Sequence, residues 1–285
     1  TPEERIAAME RLRQAIEKRG RALADTISRE NGCPTAASLI VQVWSPMRVL
    51  QAYMNVARRY AWREDRANAI GGRTIVRRAP VGVCAAILPW NVPLAIAAMK
   101  LGGALAAGCT VVLKASPETA LDAYLLAEAV EEAGFPPGVI NFVAAGRETS
   151  EYLVRHSGID KVSFTGSTVT GARVAEICGS QIKRCTLELG GKSAAILLED
   201  FDLPAKLPLL LASGLLNNGQ GCLCQTRILA PRARYEEIVE AMGAAVGAMK
   251  VGDPMDPATA IGPLVSRRQR DRVVGYLEAG KSEGA

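Results

Sequence analysis

The chain has 285 residues, of which 49% are apolar and 22% are charged, a composition typical of a globular α/β protein. Its net charge of +5 is spread among interleaved acidic residues, and no run of 18 apolar residues occurs, which argues against nucleic acid binding and against a membrane span. Seven cysteines without CxxC spacing and one histidine, His156, disfavour a disulfide framework, a bound metal and histidine-activated nucleophiles.

The first 80 residues are predicted to form helices and then a hairpin. Apolar residues recur at helical spacing from residue 3 to about 30, and Asn31-Gly32 is a helix stop. This amino end is an amphipathic helix rather than a signal peptide, so we expect a cytoplasmic protein. A second helix is predicted from roughly 37 to 61. Gly71-Gly72 and the alternating residues 74–78 then indicate a hairpin strand.

From Val81 onward, short apolar runs alternate with helical patterns. The runs are VGVCAAIL, TVVLK, VINFV, KVSFTG and RCTLEL. Strands that are buried on both faces and separated by helices predict a doubly wound parallel sheet, here over about 80 to 189. After Ser193 we expect a strand (SAAILL), a helix at about 203–216, a cysteine loop, a strand (TRILAP) and helices at 234–250 and 266–279. These elements begin a second α/β unit.

Two strand ends carry candidate ligand-binding residues, because open parallel sheets bind ligands at the carboxyl ends of their strands. Lys114 follows TVVL and could contact ribose or phosphate; the alternative is a solvated strand end. Gly166 permits a tight turn, and Ser167 can cap the next helix, whose amino end attracts phosphate. The alternative there is an ordinary strand-to-helix turn.

Three side chains are candidates for catalysis. Asn91 offers an amide donor that could stabilise an oxyanion. Glu188 closes RCTLEL before two glycines, and it is either a partly desolvated general base or a strand-end glutamate in water. In the loop NNGQGCLCQTR, Cys222 is either a reactive thiol or a packing residue, whereas Cys224 has the pattern of a buried apolar residue.

The motifs taken together resemble the aldehyde dehydrogenase superfamily across nearly the entire chain. They are PWNVPL, TVVLKASPET, GFPPGVINFV, FTGSTVTG, LELGGKS and NNGQGCLCQTR, in this order. The resemblance implies an NAD(P)-binding domain over 1–189, with an oligomerisation hairpin at about 62–80, and an incomplete catalytic domain over 190–285. It also implies a chain that is incomplete at both ends, and a homodimer or homotetramer in full-length form.

The family roles carry over position by position. By resemblance Cys222 is the nucleophile, Glu188 the general base and Lys100 a proton relay, while Asn91 and the Cys222 backbone N–H form the oxyanion site. The cofactor contacts implied are Ile87, Trp90, Lys114, Ser116, Glu118, Gly146, Gly166, Ser167 and Leu189. The implied cofactor is NAD. NADP stays open because Pro117 stands where the commoner motif has a glutamate, and Glu118 follows one residue later.

The resemblance implies oxidation of a small-molecule aldehyde to a carboxylic acid through a cysteine thiohemiacetal and thioester. Ile96, Met99, Gly221 and Leu223 are apolar and non-aromatic, which predicts a roomy site for an uncharged aldehyde. Two alternatives remain. One is a catalytically inactive nucleotide-binding or assembly module, because the chain ends before the family's carboxyl-terminal region. The other is acyl transfer to coenzyme A, which Glu188 disfavours.

Overall fold

A computed structural model describes residues 1–284, beginning with helices α1 (Pro2–Lys18) and α2 (Gly20–Asn31). The single helix predicted from 3 to about 30 is wrong, because the chain leaves helical geometry at Arg19, with φ −94° and ψ 4°. Gly20 follows, and a Cβ there would lie 3.1 Å from Val43 Cγ1, so a close approach accompanies the break. Helix α2 ends as predicted, with Gly32 in the left-handed region at φ 83°.

The second predicted helix is also divided. Helix α3 (Thr35–Ser38) leads into a π-helical turn at Leu39–Trp44, and helix α4 follows at Ser45–Arg59. Pro46 has no N–H to donate to the carbonyl four residues earlier, so the regular ladder of hydrogen bonds is interrupted there. The Ser45 N–H instead bonds to Ile40 O, which widens the turn.

The predicted hairpin strand is β2 (Arg73–Arg77), and its partner is β1 (Arg63–Ala67). The two strands pair antiparallel from Arg63 with Arg77 to Ala67 with Arg73. Gly71 and Gly72 make the turn with φ of 89° and 96°, values at which a side chain would be strained. Both strands are largely exposed, so the hairpin projects away from the core formed by the described residues.

The predicted doubly wound sheet is confirmed. Its strands are β3 (Val83–Ile87), β4 (Thr110–Ala115), β5 (Ile140–Ala144), β6 (Lys161–Gly166) and β7 (Arg184–Leu189). They are all parallel, in the order β5-β4-β3-β6-β7. After β3, the chain adds β4 and then β5 on one side of β3. It then crosses back and places β6 and β7 on the other side of β3. This reversal opens a crevice at the carboxyl ends of the strands.

Helices cover both faces of the sheet. The connecting helices are α5 (Pro93–Ala107), α6 (Leu121–Glu132), α7 (Arg147–Arg155) and α8 (Thr168–Ser180). One core includes Leu12, Leu50 and Leu101, and joins α1, α4 and α5 to the sheet. The other includes Val162 and Ile177, and joins α7 and α8 to the opposite face. Burying each such side chain contributes about 1.5–3 kcal/mol.

The rest of the described chain forms a smaller unit with its own core. It contains β8 (Ala194–Ile196), α9 (Leu203–Leu215), β9 (Arg227–Leu229), α10 (Tyr235–Gly247) and α11 (Arg267–Ser282). Strands β8 and β9 are parallel, and Ala195, Leu203 and Ile238 are buried between them and the helices. The cysteine loop connects α9 to β9. No helix within residues 1–284 is both long enough and apolar enough to cross a membrane.

Candidate active site

The carboxyl edge of the sheet gathers most of the residues predicted to bind a cofactor. Ile87 is the last residue of β3 and pairs with Lys114 on β4, while Gly166 and Leu189 end β6 and β7 side by side. Gly146 lies just beyond β5 and precedes α7. The parallel register therefore places these residues, which are far apart in sequence, along one edge.

The turn between β6 and α8 has the features of a phosphate site. A Cβ on Gly166 would lie 2.6 Å from the Phe164 ring, so only glycine fits without a shift. Ser167 is the helix cap, as predicted, and its hydroxyl accepts a hydrogen bond from the Thr170 N–H at 3.3 Å. The remaining N–H groups of the first helical turn point toward the crevice end, where an anion is stabilised.

Lys114 is buried, with only 7% of its surface exposed, so a solvated strand end is ruled out. Burial lowers the pKa of its ammonium group, and the Glu118 carboxylate opposes that effect. Ser116 is buried and donates a hydrogen bond to Glu118 Oε2 at 2.6 Å. Although burial raises the pKa of Glu118, this hydrogen bond and the charges of Arg268 and Lys114 bring it below its ordinary value. A lysine and a carboxylate thus stand together at the end of β4.

The predicted catalytic side chains Cys222, Glu188 and Lys100 line one cleft of about 690 Å³, which runs between α5 and a face of the sheet. The apolar part of its wall includes Ile96, Met99 and Leu223, as the sequence predicted. Gly221 is not among the lining residues. A Cβ on Gly221 would lie 2.5 Å from Cys224 Sγ, so this glycine permits close packing inside the loop instead.

The two cysteines of the loop differ in environment, as predicted. Cys222 is exposed to the cleft, whereas Cys224 is buried. Burial raises the pKa of the Cys224 thiol, and its sulfur makes a 3.6 Å contact with Leu216 O. Of these two thiols, Cys222 is therefore the one that is accessible to an electrophile in the cleft.

Lys100 lies on α5 and donates a hydrogen bond from Nζ to Ser163 Oγ at 2.9 Å. Burial lowers the pKa of Lys100 to about 8, even though the Glu188 carboxylate favours the charged form; the Lys161 ammonium adds to the lowering. A lysine with such a pKa exchanges protons near neutral pH. This is a property that a proton relay requires.

Glu188 is exposed. Of the two alternatives for this residue, the structure therefore shows the strand-end glutamate in water and not the partly desolvated carboxylate. The physical reason is that β7 is the edge strand of the sheet, and the side chains of this strand are largely uncovered. Glu188 nonetheless faces the same cleft as Cys222. Its carboxylate is open to water there.

Asn91 follows β3 and is connected to the cysteine loop by its side chain. Asn91 Nδ2 donates to Gln220 O at 2.7 Å, and Asn91 Oδ1 accepts from the Val92 N–H at 3.0 Å. Gln220 stands two residues before Cys222 in the chain. The amide is thus fixed in orientation and tied to the segment that carries the thiol. Trp90, the residue before it, is half-buried.

A group of amides that the sequence does not reveal surrounds Asn91. The main-chain carbonyl of Asn91 accepts hydrogen bonds from the side-chain amides of Asn31, Gln42 and Asn217. Gln220 Nε2 in turn donates to Asn31 O at 3.1 Å. The amide-rich composition of the loop is visible in the sequence, but Asn31 has there only the pattern of a helix stop.

The doubly wound sheet, with a glycine turn at its carboxyl edge, places this protein in the α/β class that binds ligands at that edge. A neighbouring cleft is lined by a thiol, a lysine and a carboxylate. Comparison with known proteins gives the family. A sequence profile described as the aldehyde dehydrogenase family matches residues 1–285. The chain therefore belongs to the aldehyde dehydrogenase family.

Individual relatives agree in fold and sequence. Geranial dehydrogenase of Castellaniella defragrans is 48% identical over 279 residues, which are 98% of this chain and 58% of that protein. A Mycobacterium tuberculosis aldehyde dehydrogenase complexed with NAD+ superposes with a TM-score of 0.96 at 45% identity, over 100% of this chain and 59% of that one. A mutant of aldehyde dehydrogenase C from Pseudomonas syringae, complexed with NAD+ and octanal, superposes with a TM-score of 0.95 at 37% identity. The superposition covers 100% of this chain and 58% of that one. The chain thus spans somewhat more than half the length of these relatives.

Proposed function

We propose that this chain is part of an NAD(P)-dependent aldehyde dehydrogenase that releases a carboxylic acid. The observation that carries the proposal is that Cys222, Glu188 and Lys100 line one cleft between α5 and a face of the sheet. A thiol provides the nucleophile, and a carboxylate and a lysine provide the proton transfers, so no histidine is needed.

The proposed cofactor is NAD, and the residues at the sheet edge fit a dinucleotide. The Gly166 turn leaves no room for a side chain, and the α8 amino end beyond Ser167 suits a pyrophosphate. Lys114 and Glu118 would contact the adenosine ribose, where a carboxylate favours a free 2′-hydroxyl over a 2′-phosphate. When bound, the nicotinamide supplies the hydride acceptor. The solved relatives complexed with NAD+ support this choice.

In the proposed mechanism, the Cys222 thiolate adds to the aldehyde carbon and forms a thiohemiacetal. The oxygen that becomes negative accepts hydrogen bonds from Asn91 Nδ2 and from the Cys222 backbone N–H. Loss of hydride from the same carbon leaves a thioester on Cys222. Each donor acts more strongly on the tetrahedral oxyanion than on the planar aldehyde, which lowers the barrier.

Hydrolysis of the thioester requires a water molecule and a base. Glu188 faces the cleft and is open to solvent, so it can take a proton from water as the water attacks the thioester carbon. The carbon–sulfur bond then breaks, which releases the acid and restores the thiolate. Lys100, whose pKa of about 8 lies near neutrality, relays the proton away from Glu188.

The proposed substrate is an uncharged, apolar aldehyde. Ile96, Met99 and Leu223 belong to the apolar part of the cleft that holds Cys222, in which Tyr53 is the aromatic lining residue. The relatives named for geranial and crystallised with octanal act on or bind aldehydes of this kind. We expect kcat/KM for hexanal or octanal to exceed that for a carboxylate-bearing semialdehyde, and clear preference for the charged substrate would overturn this assignment.

We also propose a dimer or tetramer for the full-length protein. The hairpin of β1 and β2 is exposed, with Ile70 at its turn and Ile75 within β2 largely uncovered. Apolar residues on a projecting hairpin are suited to contact a second copy. Light scattering of the full-length protein checks this proposal, and a monomer at all concentrations would refute it.

The test of function is absorbance of reduced nicotinamide with NAD or NADP and a panel of aldehydes. We expect Cys222→Ala to abolish the signal, whereas Cys224→Ala, a change at the neighbouring buried thiol, retains it in the folded fraction. Acid should form at full rate without coenzyme A. Cofactor binding without any cysteine-dependent reduction in the full-length protein would favour the inactive nucleotide-binding module, and a requirement for coenzyme A would favour acyl transfer.

A further inference from the structure

We propose that three buried amides are positioning residues for the oxyanion donor Asn91. They belong to Asn31, Gln42 and Asn217, and they hold the main-chain carbonyl of Asn91. The inference rests on the proposed function, since the oxyanion forms only when Cys222 adds to an aldehyde.

One carbonyl oxygen receives all three donors. The distances to Asn91 O are 2.8 Å from Asn31 Nδ2, 3.1 Å from Gln42 Nε2 and 2.9 Å from Asn217 Nδ2. A peptide oxygen has two lone pairs, so three donors occupy both of them and at least two of the donors share one. The donors come from the end of α2, the π-helical turn and the cysteine loop, and these segments converge on Asn91 from different directions.

The arrangement is unfavourable for two of the amides. Gln42 Oε1 and Asn217 Oδ1 are buried, and no donor within residues 1–284 reaches them. Asn217 also has a φ of 52°, in the left-handed region. A buried acceptor without a donor and a left-handed residue each cost stability. Such features persist where their geometry serves a function, and here both amides present N–H groups to the same oxygen.

The Asn91 carbonyl and the Val92 N–H belong to one planar peptide group. The three amides hold the oxygen side of this group, and its N–H side donates to Asn91 Oδ1 at 3.0 Å. Fixing the peptide plane therefore fixes Oδ1, which directs Nδ2 toward Gln220 O at 2.7 Å. Nδ2 has a second N–H, and no group in the described part of the chain accepts it. This second N–H is the donor for the oxyanion.

Gln42→Leu in the full-length enzyme tests the proposal. Leucine has a similar volume and removes both the donor and the unpaired acceptor, so the fold is retained. Removing an oxyanion donor outright costs about 10²–10³-fold in kcat. We expect Asn91→Ala to fall in that range, and Gln42→Leu, which loosens the same donor, to lower kcat about tenfold with little change in KM. Gln51→Leu on α4 is the control, because Gln51 contacts Asn55 and not Asn91.

Two measurements distinguish a role in positioning the Asn91 amide from a general role in stabilising the cysteine loop. Iodoacetamide alkylates a thiol at a saturated carbon and forms no oxyanion, so its rate at Cys222 should be unchanged in Gln42→Leu. In an Asn91→Ala background, Gln42→Leu should have no further effect on kcat, because its effect passes through the Asn91 amide. Asn217→Gly, which preserves the left-handed backbone, should behave like Gln42→Leu.

Three results would each overturn the proposal. They are a full wild-type kcat in Gln42→Leu, alkylation slowed as much as turnover, and a tenfold loss of kcat that persists in the Asn91→Ala background. Any of them would overturn this inference, while wild-type activity that depends on Cys222 would leave the proposed function standing. Absence of such activity in the wild-type full-length enzyme would overturn both.

Discussion

Replacing Lys100 by methionine removes a buried amine whose charge is destabilised by folding. Burial lowers its pKa from 10.5 to about 8. Each pKa unit corresponds to about 1.4 kcal/mol, so the fall corresponds to about 3 kcal/mol between the charged and neutral forms. Methionine also loses the hydrogen bond to Ser163, which costs about 1 kcal/mol. We therefore expect Lys100→Met to be about 2 kcal/mol more stable than the wild type at pH 7.

The sign of the pH dependence follows from linkage. Between pH 8 and 10.5 the unfolded state binds more protons at Lys100 than the folded state does, so wild-type stability rises with pH across this window. The stability advantage of Lys100→Met over the wild type should therefore disappear across this window. Above the window, the wild type should be more stable by about 1 kcal/mol, because only the lost hydrogen bond then distinguishes the two proteins. Urea unfolding at steps from pH 7 to 10.5 measures the difference, in which the titrating groups that do not interact with Lys100 cancel. Lys206→Met, at an exposed site on α9, is the control. A constant difference between wild type and Lys100→Met across the window would refute the reasoning.

Two further predictions concern the cofactor site. Gly166→Ala places a methyl group 2.6 Å from the Phe164 ring, so we expect the protein to be destabilised by about 1–3 kcal/mol. Calorimetry should also show weaker NAD binding. Gly179→Ala is the control, because the space around Gly179 is open and the change should be neutral or slightly stabilising. Unchanged NAD affinity in Gly166→Ala would contradict the phosphate-site assignment. Glu118→Gln removes the charge that repels a 2′-phosphate, so the ratio of kcat/KM for NAD to kcat/KM for NADP should fall about tenfold. Steady-state kinetics measures this ratio, and an unchanged ratio would show that Glu118 does not discriminate between the two cofactors.

The sheet could be predicted from sequence because its strands are continuous apolar runs. Strands such as β3 and β6 are buried on both faces, and this environment leaves a direct mark on composition. The turn at Gly166 was equally visible, since a glycine followed by a capping serine is typical of the start of a helix after a strand. Breaks inside helical segments were harder to predict. Arg19 is a good helix former and gives no signal, whereas Pro46 marks an interruption without specifying that the turn before it is π-helical.

Several site residues were candidates from their local pattern alone, but the choice between a catalytic and an ordinary structural role depended on the family motif. The exposure of Glu188 follows from the position of β7 at the sheet edge, which is a property of topology and not of the motif. The amides around Asn91 left no sequence signal, because Asn31 and Asn217 lie 60 and 126 residues away from it. Polar residues at such separations become partners only through the fold, and each alone has the pattern of a cap or a loop residue.

The use of amides at the junction of the two units has a physical reason. Asn91 belongs to a loop of the sheet domain, and Cys222 belongs to a loop of the following unit, yet the proposed chemistry needs a donor and a thiol in fixed relation. Apolar packing is non-directional, so it can bring two loops together without setting the orientation of an N–H. Hydrogen bonds are directional, and a donor acts on a developing charge only when its orientation is fixed beforehand. The bond from Asn91 Nδ2 to Gln220 O, supported by three amides behind it, meets that requirement where leucines could not.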